Sequence, residues 1–327
     1  MASAAPQQPD TAYQAALESA AFYIVPSPGY LRISGETRKD YLQRQTANDL
    51  DLLSAGRALP TILPSAIGRI LEVFTVLDEG EDFGLITQAG HGPGLAAYFQ
   101  KHKFFNDQVT IRDLSSVLMQ VELHGPGAAD VLGKLDFQKA FGLDEVALAI
   151  WQGHQLSAIA EEGFGPDLKF RLLAPVAAGE LLAKQLAALP SMDLGARRIL
   201  RVEAGLGGDP EFSAEYTPFE VGLSRLVSAE KGCYTGQEVL TRQVTYDKVV
   251  RNLARLRAAQ PMLPGATVLS GGKPVGTVSS AAISPRLGAI GLAVLRRPYD
   301  QPGTRLELHQ GQTTFPASVS KHPKTKA

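Results

Sequence analysis

Apolar positions recur first at helical and then at strand spacing along the chain. Between residues 11 and 24 they fall at Ala15, Leu17, Ala20, Ala21 and Ile24, predicting a helix that Pro26 and Pro28 stop. Tyr30, Leu31 and Ile33 then lead into Gly35, and Asp40, Tyr41, Leu42, Gln45 and Leu50 follow, the pattern of a strand, a tight turn and an amphipathic helix. Residues 69–77 and 83–87 read as strands joined by a hairpin turn at Asp78, Glu79 and Gly80. Residues 109–111 and 117–123 alternate as strands do, and 181–189 predict a helix ended by Pro190. After about Val250 the character changes to short β-prone runs at 267–269, 275–279, 289–292 and 305–308, each bounded by Gly or Pro, which predicts a small barrel or sandwich.

The first half carries an echo of itself at a shift of 90 residues. Ile33, Ser34 and Gly35 align with Leu123, His124 and Gly125, Asp40 with Asp130, and Leu42 with Leu132. Both stretches read as strand, glycine turn, helix, so two related α+β subunits are expected, with a boundary near 115. The expected organisation is a flexible tail over 1–14, an α+β body over 15–245, a small β-barrel domain over 246–322 and a tail over 323–327. Lys321, Lys324 and Lys326 make the end basic, as solvated ends often are.

Composition narrows the function classes. At 327 residues, with 32 Gly and 21 Pro, the chain suits about two turn-rich domains rather than a helical bundle. A formal net charge of −1 gives no bulk field for nucleic acid or an anionic membrane, and neither is expected as a direct partner. Cys233 is the single cysteine, so an internal disulfide or a Cys₄ cluster site is excluded. The first 31 residues hold no Lys or Arg, and no run approaches the roughly 18 apolar residues of a membrane span, so a cytoplasmic protein, taken as a monomer, is expected. The six histidines lack metal-ligand spacing, and no Walker loop or dinucleotide fingerprint is present. Gly-His-Gly-Pro-Gly at 90–94 reads as a plain turn.

Candidate chemistry concentrates in two segments. The first is Lys231-Gly232-Cys233-Tyr234-Thr235-Gly236-Gln237-Glu238. Thr235 and Glu238 have capping-box spacing, which predicts a helix running to about Arg242 with Cys233 just outside its N-terminus. The positive end of that helix, with Lys231 two residues from the sulfur, favours thiolate over thiol. The other reading is a buried structural thiol in a capping loop. The second segment is Thr217-Pro218-Phe219-Glu220, preceded by Arg201, Glu203 and Gly205. Here Glu220 is either the return half of a capping box or a fixed carboxylate able to accept two parallel N–H bonds.

Together these motifs, with the following Arg242, resemble the YgfZ family of folate-binding proteins, which is related to the glycine-cleavage T-protein, an aminomethyltransferase. The octet 231–238 is specific to the YgfZ branch. Looser similarity takes in Gly35, Gln45-Thr46-x-Asn48-Asp49, Gly68-Arg69-Ile70-Leu71 and Val275-Gly276-Thr277-Val278-Ser279-Ser280. The resemblance implies an aminomethyltransferase-like folate-binding α+β fold with a C-terminal barrel, and tetrahydrofolate or a related reduced folate as cofactor. It also implies a role in assembly or repair of iron–sulfur proteins, through them an effect on tRNA modification, and iron–sulfur client or assembly proteins as partners. Glu220 matches the acid that T-proteins use on the pterin, and Lys248 falls where a basic residue helps to hold the folate. Lys231, Tyr234 and Arg242 belong to the same implied folate-binding set, and Cys233 is the implied functional thiol. Lys248 and Arg251 also read as an exposed charge pair at a domain junction.

The chain departs from T-proteins in two places. The acidic pair expected after Gly-Ile is reduced to Glu72 followed by apolar residues, and Glu72 also reads as an outward strand residue. The single tryptophan, Trp151, lies outside the matching stretches, which leaves Tyr30 either to stack on the pterin or to serve as a core aromatic. Three functions follow: a folate-binding accessory protein using Cys233, a glycine-cleavage-type aminomethyltransferase, and a folate sensor or carrier in which Cys233 is silent.

Overall fold

Helix α1 (Thr11–Glu18) ends earlier than its apolar spacing predicts. The amide of Ser19 closes it on Ala15 O, and the aromatic and β-branched run that follows becomes strand β1 (Ala21–Ile24). Ala12 and Tyr13 are buried, so residues 11–14 are part of the folded body and not of a tail. The computed structural model describes residues 11–138 and 141–321, so the rest of the expected N-terminal tail, and the C-terminal tail with Lys324 and Lys326, lie outside the described residues.

The chain continues through β2 (Gly29–Ser34), α2 (Arg38–Gln45), β3 (Ala58–Pro64), β4 (Ile70–Asp78), β5 (Asp82–Thr87), α3 (Gly92–Lys101) and β6 (Thr110–Asp113). Next come β7 (Leu118–His124), α4 (Ala128–Gly133), β8 (Val146–Trp151), β9 (His154–Glu161), β10 (Lys169–Pro175), α5 (Gly179–Leu186) and α6 (Leu194–Ala204). After three-residue and four-residue 3₁₀ turns, α7 (Gln237–Thr245) leads into β11 (Arg251–Ala258), β12 (Thr267–Ser270), β13 (Lys273–Ser284), β14 (Gly288–Arg296), β15 (Arg305–Gln310) and β16 (Thr313–Ser320).

Two antiparallel five-stranded sheets share one connectivity. The first runs β3-β4-β5-β2-β6 and the second β8-β9-β10-β7-β1. In each, the strand next to the last edge (β2 or β7) enters a glycine turn and a helix, followed by a three-strand meander. At the fifth place the halves differ, since β6 fills the edge of the first sheet and the N-terminal β1 fills that edge in the second. Gly35 (φ 113°) and Gly125 (φ 100°) make the equivalent turns, and a Cβ on either would strike a carbonyl, Gln108 O at 2.0 Å or Ser19 O at 2.6 Å.

Each sheet buries one face under its own helices, and the other faces meet through Tyr30, Ala58, Leu77, Ile86, Ile159 and Leu173. The last six strands form a closed barrel, β11-β14-β13-β12-β15-β16, whose alternate residues fill its interior. The protein is therefore an α+β fold carrying a C-terminal six-stranded barrel.

Candidate functional site

The octet is a loop that runs into the first residues of α7, fastened at Lys231, Tyr234, Thr235, Gly236 and Gln237. The Lys231 ammonium is buried and donates to Thr46 O at 2.8 Å and Asn48 O at 2.7 Å, with the Tyr234 ring 5.2 Å away. Burial lowers its pKa to about 8, although Asp49 and Asp51 pull the other way. Tyr234 is itself buried beside Ala47, Ile62 and Leu240, and burial raises its phenol to about 12. The Thr235 amide donates to Arg44 O at 3.3 Å, and Gln237 Nε2 donates to Lys231 O at 3.2 Å. Gly236 (φ 80°) passes so close to the 65–68 turn that a Cβ would stand 2.3 Å from Ser65 O. Amid these fastenings Cys233 is exposed, which overturns the reading of a buried structural thiol.

The electrostatic expectations for this loop change with that geometry. Helix α7 begins at Gln237 with Gly236 as its N-cap, and Thr235 makes no capping bond. Glu238 turns outward and pairs with Arg242 at 2.6 Å, one helical turn on, so the Thr235–Glu238 capping box does not form. Lys231 and Tyr234, expected to bind folate, instead anchor the loop to the segment after α2. Arg242 is exposed on α7 in its pair with Glu238.

The second segment builds a junction of three parts of the fold. Glu220 is buried and accepts the Thr217 amide at 2.9 Å, the return bond of the capping box expected there. Arg251 at the start of the barrel grips it with two bonds, Nε to Oε1 at 2.7 Å and Nη2 to Oε2 at 3.0 Å. Arg69, from the turn before β4, adds Nη1 to Oε2 at 3.3 Å. Arg251 thus pairs with Glu220, not with Lys248. Lys248 is exposed on the linker between α7 and β11, its ammonium 5.4 Å from the Tyr246 ring.

A pterin edge needs both oxygens of its carboxylate partner, and those of Glu220 already accept four hydrogen bonds from Arg251, Arg69 and Thr217. As arranged, Glu220 does not fit that ligand.

Arg201 and Glu203 weld α6 to the barrel. Arg201 donates to Glu211 at 3.0 Å and Ser280 at 2.8 Å, and Gly208 packs against its guanidinium. Glu203 accepts from Tyr13 at 2.7 Å, from Arg286 at 2.6 Å and from Ser284. The Arg-x-Glu-x-Gly motif and the Ser280 of the late motif are therefore halves of one interface.

Two expectations placed elsewhere are corrected. Tyr30 is a core side chain on β2 that donates to Glu79 beneath Gly84, and its ring cannot stack on a ligand. Glu72 faces inward: it is buried, with His91 Nδ1 at 2.6 Å and Gln88 Nε2 at 3.0 Å.

The sequence reading missed a charge cluster on the second sheet. Fully buried Glu122 accepts from Arg197 at 2.6 and 2.9 Å and from Arg171 at 3.0 Å, while Glu161 accepts from Arg171 at 2.7 Å and from Lys169. Burial alone would raise the Glu161 pKa, but Arg171 and Lys169 hold it at about 2. Spacing two apart on β7 and β10 (Gln120, Glu122, His124; Lys169, Arg171) was the available signal. A cleft of about 280 Å³ adjoins this region, lined by Leu143, Glu162, Pro166, Leu168 and Arg225. None of the expected site residues lines it.

The two domains each match a known family. Residues 10–231 match the GCVT N-terminal domain and 251–326 the glycine cleavage T-protein C-terminal barrel domain. An aminomethyltransferase of Nostoc sp. is 30% identical over 330 residues, covering 95% of this chain and 86% of the relative. One of Oceanobacillus iheyensis is 28% identical, covering 93% and 86%. The Arabidopsis thaliana protein named "Putative transferase At1g60990, chloroplastic" is 26% identical over 77% of this chain, which spans 59% of that relative's length. In structure the fold is similar to glycine cleavage system aminomethyltransferase T from Bartonella henselae, with a TM-score of 0.84 at 20% identity over 95% of this chain and 88% of that one. With both domains matched in order over most of its length, the chain belongs to the glycine cleavage T-protein family.

Proposed function

We propose that this protein is a folate-binding accessory factor of the YgfZ branch that supports assembly or repair of iron–sulfur proteins, with Cys233 as its functional thiol. One observation carries the reading: Lys231, Tyr234, Thr235 and Gly236 are all fastened to the first sheet's segment, and the loop they form leaves the single cysteine in solvent. A purely structural loop gains nothing from a thiol in water, whereas a thiol that must reach a protein-bound metal–sulfur centre needs a firm base and an open approach. The client is protein, met in the cytoplasm by a monomer.

Tetrahydrofolate is the cofactor implied by family kinship. Glu220 serves the junction of Arg69 and Arg251, so the folate reading rests on that kinship and on no contact of Glu220.

Aminomethyl transfer is the second reading, favoured by buried Glu72, an acid held by His91 and Gln88 at the place where T-proteins carry theirs. Two measurements bear on these readings, and the second separates them. Titration calorimetry of the whole protein with tetrahydrofolate tests the cofactor, and no heat of binding would remove it. Complementation of cells lacking the gene, with Cys233→Ala against wild type, tests the thiol. An aminomethyltransferase needs no Cys233 and would complement fully without it.

A further inference from the structure

The turn after α3 presents two phenylalanines to water in a locked geometry. Asp107 closes it twice, its amide donating to Phe104 O at 3.1 Å and its Oδ2 accepting the Phe104 amide at 2.8 Å. The other oxygen of Asp107 accepts from Arg44 Nη2 at 2.6 Å, and the carboxylate is nearly inaccessible. Phe104 is 62% exposed with the Arg44 guanidinium 5.4 Å from its ring, and Phe105 is fully exposed. Arg44 is also the residue whose carbonyl accepts the Thr235 amide, two positions from Cys233. One arginine is therefore bonded to both the aromatic turn, through its side chain, and the cysteine loop, through its carbonyl.

Resting on the reading of Cys233 above, we propose that the 104–107 turn is the docking point for the client protein: an apolar pocket on the client receives Phe105, and carboxylates on its rim face Lys101 and Lys103. A turn whose tip is fully exposed is convex, and small-molecule sites are concave, so the occupant is a macromolecule with a pocket of its own. Aromatic side chains are the usual anchors of protein interfaces, and one held on a locked turn loses little freedom on binding. Around the turn three cations, Lys101, Lys103 and Arg44, stand against two carboxylates, Asp40 and Asp107, both held by Arg44, and the Lys103 ammonium donates to Val109 O at 2.9 Å, so one positive charge is in excess beside the aromatics, with Lys101 the exposed cation. An acidic client rim is the complementary charge.

The test uses cells lacking the gene, complemented at equal protein abundance, and reads the specific activity of one host iron–sulfur enzyme. Phe104→Ser/Phe105→Ser is expected to lose at least tenfold in complementation while the purified protein keeps its melting temperature, because both side chains are in water. Phe105→Trp is expected to complement fully, and Lys101→Glu/Lys103→Glu to lose several-fold. Full complementation by the double serine variant, beside failure of Cys233→Ala, would overturn the docking point alone. Loss in the serine variant beside full function of Cys233→Ala would uphold the docking point and overturn the thiol reading. Full function of both overturns both. A purified wild type that is dimeric, and is made monomeric by the serine pair, would assign the turn to a second copy of this chain instead.

Discussion

Lys231 places its buried ammonium 2.7 Å from the carbonyl of Asn48, a residue 183 positions earlier in the chain. That bond, with its companion to Thr46 O, ties the cysteine loop to the first sheet, and it makes the loop's stability depend on pH. In the folded protein Lys231 titrates at about 8, below the ordinary 10.5, so between those values the unfolded chain holds the proton and the folded one does not. Its stabilising contribution is therefore complete above pH 10.5 and is lost as pH falls through 8. The shift corresponds to roughly 3 kcal/mol.

Urea unfolding at pH 7, 8, 9 and 10 should accordingly show the wild type gaining stability with rising pH relative to Lys231→Met. Above pH 10 the buried tyrosines, with Tyr13, Tyr216 and Tyr234 each raised to about 12, lower the stability of both proteins, since the unfolded chain then loses their protons first. Parallel curves for the two proteins between pH 8 and 10 would show that Lys231 does not titrate in this window.

Acid should act through the second sheet. Glu161 sits at about 2 against the usual 4.5, so its contribution is complete above pH 4.5 and is lost as pH falls towards 2. Glu161→Gln should be less stable than wild type at pH 6, and the gap should narrow steadily as pH falls from 4.5 to 2.5. A constant gap between their unfolding free energies across that range would contradict the assignment.

Glu220 is expected to matter first for stability. Glu220→Gln removes the charge facing Arg69 and Arg251, and because both arginines are partly exposed the cost should be about 1–3 kcal/mol. A cycle with Arg251→Met should be non-additive by about 1 kcal/mol or more. Additive losses would show that the pair is not coupled.

The two glycines of the octet should behave differently. Gly236→Ala meets both a left-handed backbone and Ser65 O at 2.3 Å, and should cost about 2 kcal/mol or more. Gly232 has open space where its Cβ would be, so Gly232→Ala should shift the urea midpoint little. Equal shifts would mean the loop does not hold the described path.

Much of this was legible in the sequence, for identifiable reasons. The barrel strands are β-prone runs set off by Gly and Pro, and the β2 and β7 turns repeat because both need a glycine at positive φ. Strand β3 escaped notice because Pro60 and Pro64 interrupt it, which its edge position allows. β9 and β10 were obscured by Glu161, Lys169 and Arg171, polar residues that read as solvent-facing but bury one another. At the site, residue types identified the octet, but not which side chains anchor and which is displayed. Nothing near Lys231 in sequence announces Thr46 and Asn48, and the Tyr13–Glu203 bond joins residues 190 apart. Spacing pointed to Glu238 as a cap, yet Gly236 starts the helix because it alone can pass Ser65.

Exposed Cys233, on its fastened loop, is proposed to serve iron–sulfur proteins. The most direct test of that role expresses wild type and Cys233→Ala at equal abundance in cells lacking the gene and measures the specific activity of one iron–sulfur enzyme, alongside the melting temperature of each purified protein. Unchanged melting and at least a tenfold lower enzyme activity are expected with Cys233→Ala. Activity restored to the wild-type level by Cys233→Ala would contradict that role.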